Sequence, residues 1–286
     1  TYNMSVDSLS AKLEKAEKKG QLPKIVIPVH FAGQPCDMLA IHELSKKYNF
    51  KIIEDASHAI GASYNQIKVG SCTYSDITVF SFHPVKIVTT GEGGMALTNN
   101  MKLADKMFRL RAHGITNDKT LMHVRPKDEI WNYQQIELGF NYRMNDIQAA
   151  LGLSQINRLD DYVKIRHKIA KVYDRELRNL LIKIPLQSTG VYSSYHLYPI
   201  RIKENTKGAI QKKIYETLWK DGVAVNLHYI PVHRQPYYEN LGFKKNDFPE
   251  SEQFHREAIS LPMFPTLSSQ QQDIVIQSLV TEIKKI

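Results

Sequence analysis

The sequence contains little cysteine and no long apolar run. Its 286 residues include only two cysteines, Cys36 and Cys72, which are too few for a disulfide framework or a four-cysteine zinc site. No stretch approaches the roughly 20 consecutive apolar residues that a membrane-spanning helix needs. We therefore expect a cytoplasmic protein that does not insert into a membrane.

Sequence patterns typical of three other classes of protein are also missing. No GxGxxG motif follows a strand, which argues against a dinucleotide site. Neither a cysteine pair nor an HExxH motif joins the histidines, and His228 and His233 lie five apart in an extended run, so they face opposite ways and we expect no metal site. The net charge is +9, but the lysines are scattered, so we expect no nucleic-acid partner.

The most informative stretch is 81–94, in which a predicted strand runs into one lysine and then into a glycine-rich turn. Lys86 has Val85, Ile87 and Val88 as neighbours. An apolar setting lowers the pKa of a lysine amine because the ammonium form loses solvation, and a Schiff-base lysine requires the neutral amine. This stretch alone leaves open a surface lysine whose stem covers apolar neighbours.

A second stretch, 52–58, places a carboxylate at the end of a β-branched strand and a histidine three residues later. Carboxylates at the carboxyl ends of strands in an α/β sheet point into the crevice where ligands bind. Asp55 could instead cap the amino terminus of a helix, and this stretch alone leaves both interpretations open. The histidine in this stretch is His58.

Taken together, these stretches resemble the sugar-nucleotide aminotransferases of the DegT family, which use pyridoxal 5′-phosphate (PLP). The resemblance implies an α/β protein of PLP-dependent transferase fold-type I, with a mixed, mostly parallel sheet between helices and a smaller C-terminal α+β domain. It covers nearly the whole chain. The runs that carry it are 54–59, 70–71, 75–86, 90–95, 137–146, 194–199, 226–233 and 259–265.

The resemblance also implies roles for single residues. Lys86 would carry PLP and then act as the base that moves the substrate proton, and Asp55 would keep the pyridine nitrogen protonated. His58 would lie beside the phenolic oxygen of PLP, and Ser81 would bind its phosphate. Asn141 would reach the phosphate in the neighbouring subunit, which implies a homodimer with shared active sites.

For the substrate, the nearest resemblance within the family is to transaminases of nonulosonic (pseudaminic) acid or surface-glycan biosynthesis. It implies transfer of an amino group from L-glutamate to C4 of a UDP-linked 4-keto-6-deoxy-N-acetylhexosamine. His83 and His228 are candidates for contact with this substrate. Two alternatives remain: another UDP- or dTDP-linked keto sugar, aminated at C3 or C4, and a non-catalytic DegT-like regulator. Lys86 excludes the usual PLP-dependent sugar dehydratases, in which histidine replaces the lysine.

The apolar periodicity predicts the elements around these residues. We predict a PLP-binding domain over 1–158, followed by an interdomain helix and a small domain over 159–286. Residues 115–131 are expected to form a loop that could cover the site. The predicted helices are 7–19, 38–48, 102–113, one long helix over 146–180, 210–218 and 268–285; the predicted strands are 24–29, 52–55, a hairpin in 62–71, 77–82, 95–98, 196–202 and 223–230.

The resemblance further implies a section ahead of Thr1. In the family, the helix start that binds the cofactor phosphate and the aromatic residue that stacks on the pyridine ring lie in that section. The first strand and helix of the large domain would lie there too. We therefore expect the chain on its own to bind PLP weakly, to aggregate and to turn over little.

Overall fold

The computed structural model describes residues 1–124, 129–203 and 208–285. The helices are α1 (Val6–Glu17), α2 (Met38–Tyr48), α3 (Met101–Leu110), α4 (Asp146–Ile156), α5 (Leu159–Leu177), α6 (Ala209–Lys220), α7 (Pro236–Asn240), α8 (Pro249–Glu257) and α9 (Ser269–Ile283). The strands are β1 (Ile25–Val26), β2 (Lys51–Asp55), β3 (Ser63–Tyr64), β4 (Ile67–Lys68), β5 (Ile77–Ser81), β6 (Gly94–Leu97), β7 (Ile115–Thr116), β8 (Gln134–Gln135), β9 (Ile182–Lys183), β10 (Val191–Tyr192), β11 (Tyr198–Ile202) and β12 (Ala258–Leu261).

The main sheet has the order β1-β2-β5-β6. Strands β1, β2 and β5 are parallel, and β6 returns antiparallel to β5. In the parallel part Asp55 pairs with Val79, so β2 and β5 end side by side. Strand β1 is shorter than predicted because Pro28 has no N–H to continue the ladder, although Val29 still forms a bridge with Asp55. The carboxyl ends of β2 and β5 thus form one edge, where ligands bind in α/β sheets.

The amino-terminal half has two apolar clusters. One packs α1 and α2 on the sheet, with Leu13, Ile41 and Ile52 almost fully buried. The other lies under the carboxyl edge of the sheet and includes Phe82 and Val88. The second cluster therefore supports the segment that carries the predicted lysine.

The carboxyl-terminal half has its own core around the antiparallel sheet β12-β11-β9. Helices α5, α6 and α9 cover this sheet, and Tyr173, Tyr198 and Leu279 are completely buried between them. A smaller sheet, β10-β3-β4, joins the two halves, because β10 pairs with the predicted hairpin. The division of the chain at residue 158 stays a prediction.

The predicted long helix over 146–180 is wrong, because the chain breaks between α4 and α5. At the break the N–H of Arg158 bonds to the carbonyl of Gln155, three residues back. In a continuous α-helix that N–H would donate to the carbonyl of Ser154, four residues back. Here the guanidinium of Arg158 donates to the Ser154 carbonyl instead, at 3.3 Å. The apolar pattern runs through the break, so periodicity alone did not reveal it.

The predicted strand over 223–230 is also wrong. That segment forms only an isolated bridge, between Asn226 and Ser260. Strands β9 and β12 flank β11 instead. The prediction of a loop over 115–131 is only partly met, since β7 forms at its start and residues 125–128 lie outside the described residues. Within the described ranges, no helix is both long enough and apolar enough to span a bilayer.

Candidate active site

Lys86 lies in the turn that follows β5. Its N–H donates to the carbonyl of His83 at 2.9 Å, and the next residues, Ile87 and Val88, are buried in the cluster below. Val85 faces outward and is 66% exposed, so only one side of the lysine is apolar. Burial lowers the pKa of Lys86, and the negative charge of Asp55 opposes this shift. The lysine is thus a half-buried amine with a carboxylate nearby.

Asp55 ends the central strand β2 and is held through its main chain. Its N–H donates to the carbonyl of Pro28 at 2.9 Å, and its carbonyl accepts from the N–H of His30 at 3.0 Å. Its side-chain oxygen Oδ1 accepts from the N–H of Ser57 at 3.0 Å, in a turn that no helix follows. The helix-cap interpretation is therefore wrong, and the carboxylate lies at the carboxyl edge of the sheet.

The tautomer of His58 follows from its contacts. Its Nδ1 accepts from the N–H of Ala32 at 3.3 Å. Burial, together with the charges of Lys86 and His228, lowers the pKa of His58 to about 4, and the charge of Asp55 partly opposes this shift. The ring is consequently neutral near pH 7. With Nδ1 used as an acceptor, the proton lies on Nε2, which is available as a donor.

Two further histidines come from the carboxyl-terminal half. The ring of His196 lies 4.4 Å from that of His58, centroid to centroid, and Nδ1 of His228 lies 2.9 Å from Oγ of Ser260. Burial lowers the pKa of both, and the charge of Lys86 contributes to each shift. The structure therefore brings Lys86 together with His196 as well as with the predicted His228.

His196 is a site residue that sequence reasoning missed. Its Nδ1 is buried without a hydrogen-bond partner among the residues that the structure describes. The buried guanidinium of Arg166 donates to the carbonyls of Tyr195 and His196, at 3.0 and 3.2 Å, and so fixes the backbone there. The run 194–199 resembles the family, but nothing in the sequence shows which of its side chains reaches His58.

Three predicted residues lie apart from this group. Ser81 ends β5 opposite Gly94, and its Oγ accepts from the N–H of His83 at 3.5 Å. The ring of His83 is exposed, with Nε2 3.9 Å from a carboxylate oxygen of Glu92. Asn141 is exposed and bridges the main chain of Ala112. Of these three, only Ser81 shares the sheet edge with Asp55.

In the described part of the chain, the histidines are not grouped as metal ligands are. Nε2 of His233 lies 3.0 Å from buried Glu252, whereas His228 contacts Ser260, so the two histidines have separate partners. Over residues 1–124, 129–203 and 208–285, no group of three or more His, Cys, Asp or Glu is arranged to hold a metal ion. Lys86 can accept or donate a proton at its amine, and Asp55 and His58 can bind a charged ring.

Known proteins resemble this chain over most or all of its length. An uncharacterised protein of Methanocaldococcus jannaschii is 38% identical over 288 residues, which cover 100% of this chain and 71% of that protein. The UDP-4-amino-4,6-dideoxy-N-acetyl-beta-L-altrosamine transaminase of Campylobacter jejuni is 35% identical over 263 residues, covering 90% of this chain and 65% of the enzyme. The chain thus spans roughly two thirds of each relative's length.

Solved structures share the fold. Helicobacter pylori PseC, an aminotransferase involved in the biosynthesis of pseudoaminic acid, superposes with a TM-score of 0.87 at 29% identity, over 99% of this chain and 71% of that one. The PLP form of Spr1654 from Streptococcus pneumoniae gives 0.85 at 29% identity, over 100% and 73%. These neighbours confirm the predicted fold-type I and the predicted cofactor, PLP.

The family assignment rests on both kinds of comparison. The profile of the DegT/DnrJ/EryC1/StrS aminotransferase family matches residues 1–280, which is nearly all of the chain. The matched region includes β2 and the turn after β5, where the carboxylate and the amine described above are held. The chain belongs to the DegT/DnrJ/EryC1/StrS aminotransferase family.

Proposed function

We propose that this protein transfers an amino group from L-glutamate to C4 of a UDP-linked 4-keto-6-deoxy-N-acetylhexosamine, in nonulosonic acid or surface-glycan biosynthesis. The observation that carries the proposal is the half-buried amine of Lys86 beside the carboxylate of Asp55. The names of the Campylobacter and Helicobacter relatives support this choice of sugar. A cytoplasmic location is part of the same proposal.

The residues around Lys86 fit PLP. The cofactor needs an amine that is readily deprotonated, an anion for its ring nitrogen and a donor for its phenolic oxygen, and Lys86, Asp55 and the Nε2–H of His58 have these properties. When bound, PLP supplies an electron sink for the electrons left on the donor's α-carbon. We propose Ser81, at the end of β5, as a ligand of the cofactor phosphate.

In this proposal each protein group has a defined role. The Nζ of Lys86 would hold the cofactor before the donor binds; once the donor's amine has displaced it, the free amine would take the proton from the donor's α-carbon, a role that suits its lowered pKa. Asp55 keeps a proton on the ring nitrogen. His58 stays neutral near pH 7 and donates from Nε2, so it orients the ring without adding positive charge. His228, and less directly His83, are proposed to contact the sugar substrate.

We further propose a homodimer in which Asn141 completes the partner's site. Asn141 is exposed on its own chain, in a segment whose apolar side chains face outward. Phe140 and Tyr142 stack on each other with ring centroids 4.8 Å apart, and no residue of α4 is buried. Apolar side chains exposed in such a group are typical of an interface. The large ones are Leu138 (90% exposed), Phe140, Tyr142, Ile147 (84%), Leu151, Leu153 and Ile156.

Turnover with a panel of keto sugars tests the proposal. The protein, with PLP and L-glutamate, is given UDP- and dTDP-linked 3-keto and 4-keto sugars, and the amino sugars formed are identified by mass spectrometry. Fastest C4 amination of the UDP-linked N-acetylhexosamine supports the proposal. Faster amination of a dTDP-linked sugar or at C3 would replace the substrate. Absence of both turnover and the visible absorbance of bound PLP, even at a PLP concentration high enough to offset weak binding, would overturn the function and favour a regulator.

A further inference from the structure

A buried, hydrogen-bonded histidine–glutamate pair lies directly behind Asp55. Nε2 of His30, which is 0% exposed, lies 2.7 Å from Oε2 of Glu54, which is 5% exposed. Glu54 precedes Asp55 in β2, so its side chain lies on the opposite face of the sheet. We call these two residues the His30–Glu54 pair. None of the roles proposed above uses it.

The hydrogen bonds around the pair define its protonation. The N–H of Cys36 donates to Nδ1 of His30 at 3.1 Å, so the ring proton lies on Nε2 and is donated to Glu54. Thr78 donates to the other carboxylate oxygen at 2.9 Å, and Ser75 donates to the same oxygen. The pair is therefore a neutral imidazole and a carboxylate with donors on both oxygens.

The electrostatics of Glu54 agree with this arrangement. Burial on its own would raise the pKa of Glu54, but the hydrogen bonds from His30, Ser75 and Thr78 outweigh it, and the pKa is lowered. A buried carboxylate remains ionised only when such donors are in place. The buried carboxylate of Glu54 therefore holds its three donors, His30, Ser75 and Thr78, in fixed positions.

His30 connects this charge to the active site in two ways. Its N–H donates to the carbonyl of Asp55 at 3.0 Å, so the same residue binds Glu54 by its side chain and Asp55 by its main chain. Two residues further on, the N–H of Ala32 holds Nδ1 of His58. The chain turns sharply directly after His30, with Ala32 at φ 58° and Gly33 at φ 98°. A shift of His30 would therefore move both Asp55 and His58.

We propose that His30 and Glu54 are positioning residues that fix the carboxylate of Asp55 and the tautomer of His58 relative to Lys86. The inference rests on the proposed function for the roles of Asp55 and His58. It predicts that the sheet edge is already ordered before PLP binds, because the pair is complete within this chain. Hydrogen bonds that orient the ligands of metal sites are worth about ten- to a hundredfold in activity or affinity, and by analogy we expect an effect of about tenfold here.

The first test uses the cofactor-free protein and does not depend on the proposed function. Glu54→Gln keeps the size of the side chain but removes the charge that accepts from His30, Thr78 and Ser75. We expect the amide hydrogens of His30, Ala32 and Asp55 to exchange about tenfold faster in this variant. Unchanged exchange in folded Glu54→Gln would overturn the inference.

Tyr198→Phe is the matched control. Tyr198 is fully buried and donates to the carboxylate of Asp174 at 2.6 Å, so this variant also loses a buried hydrogen bond to a carboxylate, but in the carboxyl-terminal core. We expect it to lower thermal stability without changing exchange at residues 30–32 and 55. If the control changes exchange there as much as Glu54→Gln does, the effect is general destabilisation and the inference is overturned.

The second test uses the PLP-loaded protein. In Glu54→Gln we expect kcat to fall about tenfold with less than about a twofold change in KM, and the visible absorbance of bound PLP to titrate at a different pH. An unchanged absorbance titration and kcat, together with faster amide exchange, would show that the pair does not position catalytic groups. A wild-type protein that neither binds PLP nor turns over would instead overturn the proposed function, and amide exchange would still decide the inference.

If Glu54→Gln does not fold, Thr78→Val replaces it in both tests. This change removes one hydroxyl donor to Glu54 and leaves His30 in place. The expected effects have the same direction and are smaller, about two- to threefold in amide exchange and in kcat. Amide exchange and an absorbance titration identical to those of the wild type would overturn the inference in this variant as well.

Discussion

At the scale of single residues, Lys86 supports the sharpest prediction. We expect Lys86→Ala to lower kcat by at least about a thousandfold, because both the attachment point of the cofactor and the base for proton transfer are lost. The fold should persist, since Ile87 and Val88, rather than the lysine, fill the cluster below. The measurement is turnover with L-glutamate, alongside circular dichroism. Lys68→Ala, at an exposed lysine, is the control, and turnover of Lys86→Ala near the control value would contradict the assignment.

Asp55→Asn tests the ring-nitrogen partner. The amide keeps the acceptor oxygen for the N–H of Ser57 but cannot balance a positive charge. We expect kcat to fall by about a hundredfold or more, with a much smaller effect on the midpoint of thermal unfolding. Near-normal kcat would mean that Asp55 only shapes the turn after β2.

His58 predicts a pH dependence of stability. Its pKa lies at about 4 in the folded protein and at 6.5 in the unfolded chain, so only the unfolded chain binds the extra proton between these values. The free energy of unfolding therefore falls as the pH is lowered from 6.5 to about 4. In cofactor-free His58→Gln we expect this loss to be smaller by on the order of 2–3 kcal/mol, measured by urea unfolding at pH 7 and pH 4.5. The same pH loss in both proteins would contradict the low pKa.

The sequence indicated some of these residues and not others. Lys86 and Asp55 could be found because an amine and a carboxylate at strand ends form a chemical pattern in the chain itself. His196 lies 138 positions after His58 in the sequence, and Glu54 is distinguished only as the first residue of the run 54–59. Which side chains meet across two halves of a fold depends on packing between elements, and periodicity within each element does not record it.

At the scale of elements, the cap of α9 gives a stability prediction. The side chain of Ser268 accepts from the N–H of Gln271, and the side chain of Gln271 accepts in return from the N–H of Ser268. Helix α9 buries Leu279 in the carboxyl-terminal core, so fraying at its start should reach the whole unit. We expect Ser268→Ala to lower the free energy of unfolding by about 1 kcal/mol, measured by urea denaturation. Ser269→Ala, one residue further on, should be nearly neutral, and equal losses would argue against the cap.

Elements were predicted well where one local rule decides them. Asn145 caps α4 directly before the predicted helix start at 146, and β2, β5 and β6 lie within one or two residues of their predicted bounds. Helix α3 begins within one residue of the predicted start at 102 but ends at Leu110 instead of 113, and none of its residues is buried. The helix break at Arg158 was not predicted. It arises because the Arg158 side chain, rather than a main-chain N–H, donates to the carbonyl of Ser154, and the spacing of apolar residues gives no sign of this hydrogen bond.

At the scale of the whole molecule, a shared site predicts complementation. Lys86→Ala and Asn141→Ala subunits, mixed and allowed to exchange, would form hybrid dimers in which one site carries both defects and the other carries none. We expect the mixture to recover up to about a quarter of wild-type activity, because about half of the dimers are hybrids with one intact site. Turnover is measured before and after exchange.

The control for this experiment pairs two defects from the same side of the site. Lys86 and Asp55 lie together within one chain, so hybrids of Lys86→Ala with Asp55→Asn keep one defect in every site. That mixture should gain nothing on exchange. Equal behaviour of the two mixtures, or a monomer by light scattering, would contradict the shared site.

The His30–Glu54 pair also constrains how this sequence can evolve. Loss of His30 alone leaves a buried carboxylate short of a donor, and loss of Glu54 alone leaves the imidazole N–H without an acceptor; either step costs about 1–3 kcal/mol. A lineage that replaces both residues by apolar ones avoids that cost at the end but must pass through one of the two weakened intermediates. Positions 30 and 54 should therefore change together among homologues, and frequent independent substitution at either would show that selection does not maintain the pair.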